Sequence, residues 1–158
     1  MTIDCAELLN GCFVCPALPA VASTPQQIIY SPVNGWGGGG NSEAVLDGDL
    51  HVVFQVTCLG AVCVGLRSVE DKNYVPVAVD YALLIQFTAG VLTFVVLESG
   101  RAQGSPTNCA AGDTWEIRRV NGAVTYLRNN SVVHTSTVSS EAPLLATACL
   151  YTSGDAVL

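Results

Sequence analysis

Lysine occurs once in this chain, at Lys72, and methionine only at position 1. Helix-rich proteins use Lys, Glu, Gln and Met freely, so this balance, with Val and Thr abundant, favours strands. Cations are scarce altogether: 6 Lys plus Arg stand against 13 Asp plus Glu, a formal charge of −7. A nucleic-acid partner needs a basic face to displace phosphate counterions, and these few cations cannot supply one. Arg118, Arg119 and Arg128 do sit close in sequence. Adjacent strand residues point to opposite faces, however, so Arg118 and Arg119 cannot share a patch.

A long apolar run is missing too. The longest candidate, residues 81–97, is interrupted by Gln86, Thr88, Gly90 and Thr93, short of the roughly 18 uninterrupted residues of a membrane span. A secretory signal is not expected either, because Asp4 and Glu7 fall where positive charge would stand. The tetrad Leu9-Asn10-Gly11-Cys12 resembles a lipoprotein cleavage site, but no basic start or apolar stretch precedes it.

What is present points to a folded domain. Half of the 158 residues are apolar and only 12% are charged, a composition that excludes disorder and suits one domain with a substantial core. The 7 cysteines are an odd number, so at least one thiol stays unpaired within the chain if the others bridge. Cys12-Phe13-Val14-Cys15 is a CxxC. A redox reading wants a helix after it, yet Pro16 follows at once. A zinc reading wants a second CxxC or paired histidines, and His51 and His134 stand alone. Buried thiols or structural bridges are the preferred reading, with Cys58–Cys63 flanking a turn and Cys12–Cys15 as the candidate pairs. No metal and no cofactor is assigned.

Residues 2–15 form the one helical stretch expected. Asp4 can cap it, Glu7 stands three positions later, and Gly11 can end it. Its apolar members Ile3, Leu8, Leu9 and Phe13 cannot stabilise so short a helix alone, so they are expected to dock as an assembly anchor. Residues 16–26 complete an arm and linker, with Pro16, Pro19 and Pro25 excluding regular helix. Residues 27–158 are expected to form the folded domain. Residues 27–30 read as a first strand, and residues 34–41 as a flexible glycine loop carrying Trp36. Strands are expected at 51–58, 61–69, 82–87 and 91–97, the last two covered on both faces. Residues 98–109 read as a long surface loop.

Residues 112–136, GDTWEIRRVNGAVTYLRNNSVVHTS, are the most legible segment. Asn121-Gly122 is a preferred hairpin turn between strands 113–120 and 123–128, and Asn129-Asn130 leads into 132–135. Trp115, Ile117, Val124 and Tyr126 alternate along these strands, and Trp115 reads as core. With a last strand at 147–151, about ten short strands argue for an all-β, two-sheet antiparallel sandwich with a short N-terminal helical arm.

That meander, followed by ATACLYTSGDAV, resembles the closing half of concanavalin A-like jelly-roll domains of the kind found in tailed-phage virion proteins. Asn34-Gly35-Trp36, leading to Asp47-Gly48, is similar to their opening. The resemblance covers roughly residues 28–158 and implies fold more than activity. Some members are glycoside hydrolases, which place paired acids on one strand face. No such pair appears in a strand here; Glu70-Asp71 are adjacent and turn-like, and no G-x-S-x-G accompanies the two histidines. A non-enzyme is therefore expected.

Members also bind sugars by aromatic stacking, which makes Trp36, Tyr74 and Tyr81 candidates, with Asn41 and Arg101 in the neighbouring loops. For Trp36 the alternative is a plug folded over a sheet edge. Asp47 and Asp49 with Asn41 are a calcium candidate weighed against simple solvation of a turn. The resemblance and the arm together imply a phage virion component, made in the host cytoplasm without a signal peptide. It would be oligomeric within its assembly, bind other virion proteins through the arm, and present a module for host-surface glycans. A purely structural capsid decoration or cement protein, and a bacterial surface lectin-like domain, are the alternatives.

Overall fold

The computed structural model describes residues 12–15, 28–29, 34–36, 38–42, 44–69 and 75–157. Its largest sheet has eight strands in the order β1 (Cys12–Cys15), β3 (Gly38–Ser42), β14 (Leu144–Leu150), β6 (Ala61–Ser68), β7 (Tyr81–Thr88), β8 (Val91–Glu98) and β10 (Thr107–Asn108). The eighth, β9 (Arg101–Ala102), also pairs with β8. A second sheet runs β13 (Ser131–Thr135), β12 (Ala123–Arg128), β11 (Trp115–Val120), β4 (Leu50–Phe54). A third joins β2 (Ile28–Ile29), β15 (Ala156–Val157) and β5 (Val56–Thr57). Among the described residues all strand pairings are antiparallel except β1 with β3. The all-β antiparallel sandwich expected from the sequence is thus what forms.

The meander follows its turn chemistry. Asn121 and Gly122 take φ 48 and 77, and Asn129 and Asn130 take φ 50 and 65. Two consecutive positive-φ residues make the primed hairpin turn whose twist matches the flanking strands. Alternation then does the rest. Trp115, Ile117, Val124 and Tyr126 are buried and meet Val62, Val64, Leu83, Ile85, Phe94 and Val96 in one core cluster. The opposite face of the large sheet is buried as well, around Cys63, Val79, Ala82, Val95, Leu97 and Cys149. This is why β7 and β8 read as almost continuously apolar.

Several expectations are corrected. Residues 12–15 are a strand paired in parallel with Gly39–Ser42, not the end of a helix. Residues 1–11, and with them Ile3, Leu8 and Leu9, lie outside the described residues, while Phe13 stands on β1 opposite Gly40. Extended strand rises ~3.3 Å per residue, which separates Cys12 and Cys15 by roughly 10 Å, beyond the ~7 Å limit of a disulfide. Cys58 and Cys63 are free thiols rather than a bridge: Cys63 is buried in the sheet, and Cys58 donates to the Ile85 carbonyl at 3.4 Å. The glycine run is not an open loop, since Gly38–Ser42 is a buried strand between β1 and β14. At Gly39 a Cβ would run into the Ala148 carbonyl, so glycine is what lets β14 approach. The 51–58 strand breaks at Gln55, where the chain passes from the four-stranded to the three-stranded sheet. The 98–109 loop folds back as β9 and β10 onto β8.

Candidate functional site

Register brings four strand ends together at one end of the sandwich. Ser68 pairs with Leu144, Leu66 with Tyr81, and Tyr81 with Glu98. A cleft of about 310 Å³ opens there, walled by Asp80, Tyr81, Glu98 and Ser99 on one side and by residues 138–142 on the other. Three hundred cubic ångströms is the lower end of the range for small-ligand sites.

Each wall is fixed by named contacts. Asp80 accepts from the Ser68 amide at 2.7 Å, and its own carbonyl accepts from Ser99 at 2.8 Å. Glu98 Oε1 accepts from the Tyr126 hydroxyl at 3.4 Å and lies 3.4 Å from His134 Nε2, both reaching across from the facing sheet. Burial pushes the Tyr126 phenol far up, with the Glu98 charge adding to it, so Tyr126 remains a donor. Tyr81 donates to the Ser139 carbonyl at 3.4 Å, and burial raises its phenol too.

The second wall depends on Arg119. Alternation from Trp115 and Ile117 turns this arginine inward, where it is 1% exposed. Its Nε donates to the Gly48 carbonyl at 2.7 Å, and its Nη1 donates to the Ser140 hydroxyl at 3.2 Å and the Ala142 carbonyl at 2.7 Å. Nη2 has no partner among the described residues. Ser140 also donates from its amide to the Gly122 carbonyl at 2.8 Å, and a Cβ at Gly122 would collide with the Glu141 carboxylate. Residues 138–142 are thereby seated on the β11–β12 turn. Arg118 points the other way and clasps Glu116 at 2.8 and 3.0 Å, so the two arginines do occupy separate faces.

The residues proposed from sequence are not gathered at this cleft. Trp36 lies toward the far end of the large sheet: its ring packs on Tyr151 at a 5.2 Å centroid distance, and the Gly35 amide binds the Tyr151 carbonyl. It is half-buried and packs against the cluster around Cys63 and Cys149. Ala61 to Ser68, the length of β6, spans roughly 23 Å at strand rise, and that separates the two ends. Asn41 is midway, opposite Thr147. Arg101 is exposed on β9 opposite Glu98, at the cleft end but on the sheet edge. Tyr74 lies outside the described residues. Tyr81 is a buried strand residue, not a loop aromatic. Asp47 and Asp49 accept from the Gly48 and Asn121 amides at 2.8 and 2.7 Å, as turn caps. Among the described residues no group of three or more His, Cys, Asp or Glu is placed to hold a metal ion, and no helix is long and apolar enough to cross a membrane.

Comparison with family models and with curated proteins finds no match. Solved structures do match. The PSpry domain of TRIM65 superposes with a TM-score of 0.57 at 11% identity, covering 84% of this chain and 79% of that one. The SPRY domain of human HERC1 gives 0.57 at 15% identity, covering 78% and 82%. Stonustoxin gives 0.54 at 10% identity, covering 76% of this chain and 21% of that one. At such identities the likeness is one of fold. The shared fold is an antiparallel jelly-roll sandwich, the architecture implied by residues 112–136.

Proposed function

We propose that this domain is a non-catalytic binding module that holds a neutral or amine-bearing glycan in the cleft between Glu98 and Glu141. The carrying observation is the lining itself. Asp80, Glu98 and Glu141 offer acceptors for sugar hydroxyls, and Ser68, Ser99, Ser139 and Ser140 offer groups that both donate and accept. Three carboxylates in one cleft, on a chain of formal charge −7, disfavour sialylated, sulfated or phosphorylated ligands. Asp80 and Glu98 are held by the Ser68 amide and the Tyr126 hydroxyl, which suits fixed acceptors.

Display on a phage virion, attached through the N-terminal segment, is the wider setting proposed; its support is the sequence resemblance of residues 112–136 and 146–157. Peptides of this chain in gradient-purified phage particles would support it, and their absence from such particles would overturn it.

A glycan array tests the ligand class. Binding confined to neutral or amino sugars, with no change in glycan mass after prolonged incubation, agrees with the proposal. Preference for acidic glycans, release of shortened glycans, or a blank array contradicts it.

A further inference from the structure

Cys63 and Cys149 stand directly opposite each other on the neighbouring antiparallel strands β6 and β14. Both are fully buried and both are free thiols. Opposed residues in such a pair have Cα atoms ~4.5–5.5 Å apart, within the ~4.4–6.8 Å span of a disulfide. They occupy the sheet face turned away from Trp115, in the cluster against which Trp36 packs.

The two sulfurs are chemically unequal. A hydrogen bond from the Cys63 thiol to Cys149 lowers the Cys149 pKa against the opposing effect of burial, with the Arg67 charge and Thr147 adding to the lowering. The same bond, together with burial, holds Cys63 well above an ordinary thiol. Arg67 follows the same face and is itself buried. Cys58 and Cys109 are poorer nucleophiles: burial pushes Cys58 up to about 12 and raises Cys109.

We propose that Cys63 and Cys149 form a cross-strand disulfide when the chain meets a disulfide oxidant, fixing β6 to β14 in the middle of the large sheet. The Cys149 thiolate attacks one sulfur of a small disulfide, such as oxidised glutathione, and expels one glutathione thiolate. Cys63 then passes its proton to that leaving thiolate and attacks the Cys149 sulfur, expelling the second glutathione as a thiolate, which takes up from water the proton that Cys149 had released. Two protein thiols are oxidised and one glutathione disulfide is reduced to two thiols. The bond closes a long loop, which constrains the unfolded chain and raises the melting temperature.

The experiment uses the full chain with oxidised glutathione in two arms, one on folded protein and one during refolding from guanidinium, because both thiols are buried. Remaining thiols are alkylated under denaturing conditions, and chymotrypsin cleaves after Leu59 to separate Cys58 from Cys63. A peptide pair linking Cys63 to Cys149, and a melting temperature several degrees above the reduced protein that dithiothreitol reverses, is the expected result. The Cys149→Ala variant should lose that shift. Alkylation of both cysteines in both arms, a link to any other cysteine, or a shift that survives in Cys149→Ala would overturn the proposal.

Discussion

Arg119 and Ala142 meet at the mouth of the sandwich, the guanidinium Nη1 donating to the Ala142 carbonyl at 2.7 Å. With the bonds to Gly48 and Ser140, one buried side chain ties the β3–β4 connection, the β11 strand and the cleft wall together. Charged hydrogen bonds contribute ~1.5–3 kcal/mol each, and buried carbonyls left unpaired add a penalty. Arg119→Met is expected to lower unfolding free energy by about 3 kcal/mol in urea titration. Arg119→Lys should recover less than half, because a single ammonium cannot reproduce the forked geometry.

Asp155 performs the same kind of task at the opposite end. It is fully buried and accepts from the Leu59, Gly60 and Thr152 amides at 2.6, 3.1 and 2.7 Å. Asp155→Ala strands three donors and should cost ~3 kcal/mol. Circular dichroism melts of the two proteins read this directly.

Asp113 supplies a pH signature. Burial raises its carboxyl, but the Ala110 amide, the Asn129 side chain and Arg128 together outweigh that, and the net pKa is lowered. A carboxyl depressed in the folded state stabilises it fully above the unfolded value of ~3.9. As pH falls below that value the unfolded chain takes up the proton first, and the contribution fades until the folded carboxyl is protonated too. The melting-temperature advantage of the parent over Asp113→Asn should therefore be constant from pH 7 to about 5 and shrink between about pH 4 and 2. An advantage unchanged at pH 2 would refute this.

The meander was legible because its information is local. Two Asn-led turns set register, and alternation placed Trp115 and Ile117 inside. The same alternation pointed Arg119 inward, a signal available in the sequence as a charge two positions beyond a core residue. Gly38–Ser42 was not legible, since glycine runs read as loops unless the partner strand that needs the closeness is known. Nor was the cleft. Its corner residues Ser68, Tyr81, Glu98 and Leu144 are far apart in sequence and meet only through sheet pairing. Trp36 is an aromatic among glycines, a composition shared by exposed platforms and by plugs.

In the proposed function, ligand is held at the Glu98–Glu141 end of the sandwich and not at the Trp36–Tyr151 end. The direct measurement is binding of the parent, Glu141→Ala, Glu98→Gln and Trp36→Ala to one glycan array, each variant first shown to melt cooperatively. Binding at least tenfold weaker is expected for Glu141→Ala and Glu98→Gln, with Trp36→Ala within twofold of the parent. Loss of binding in Trp36→Ala, with both cleft variants unchanged, would contradict it.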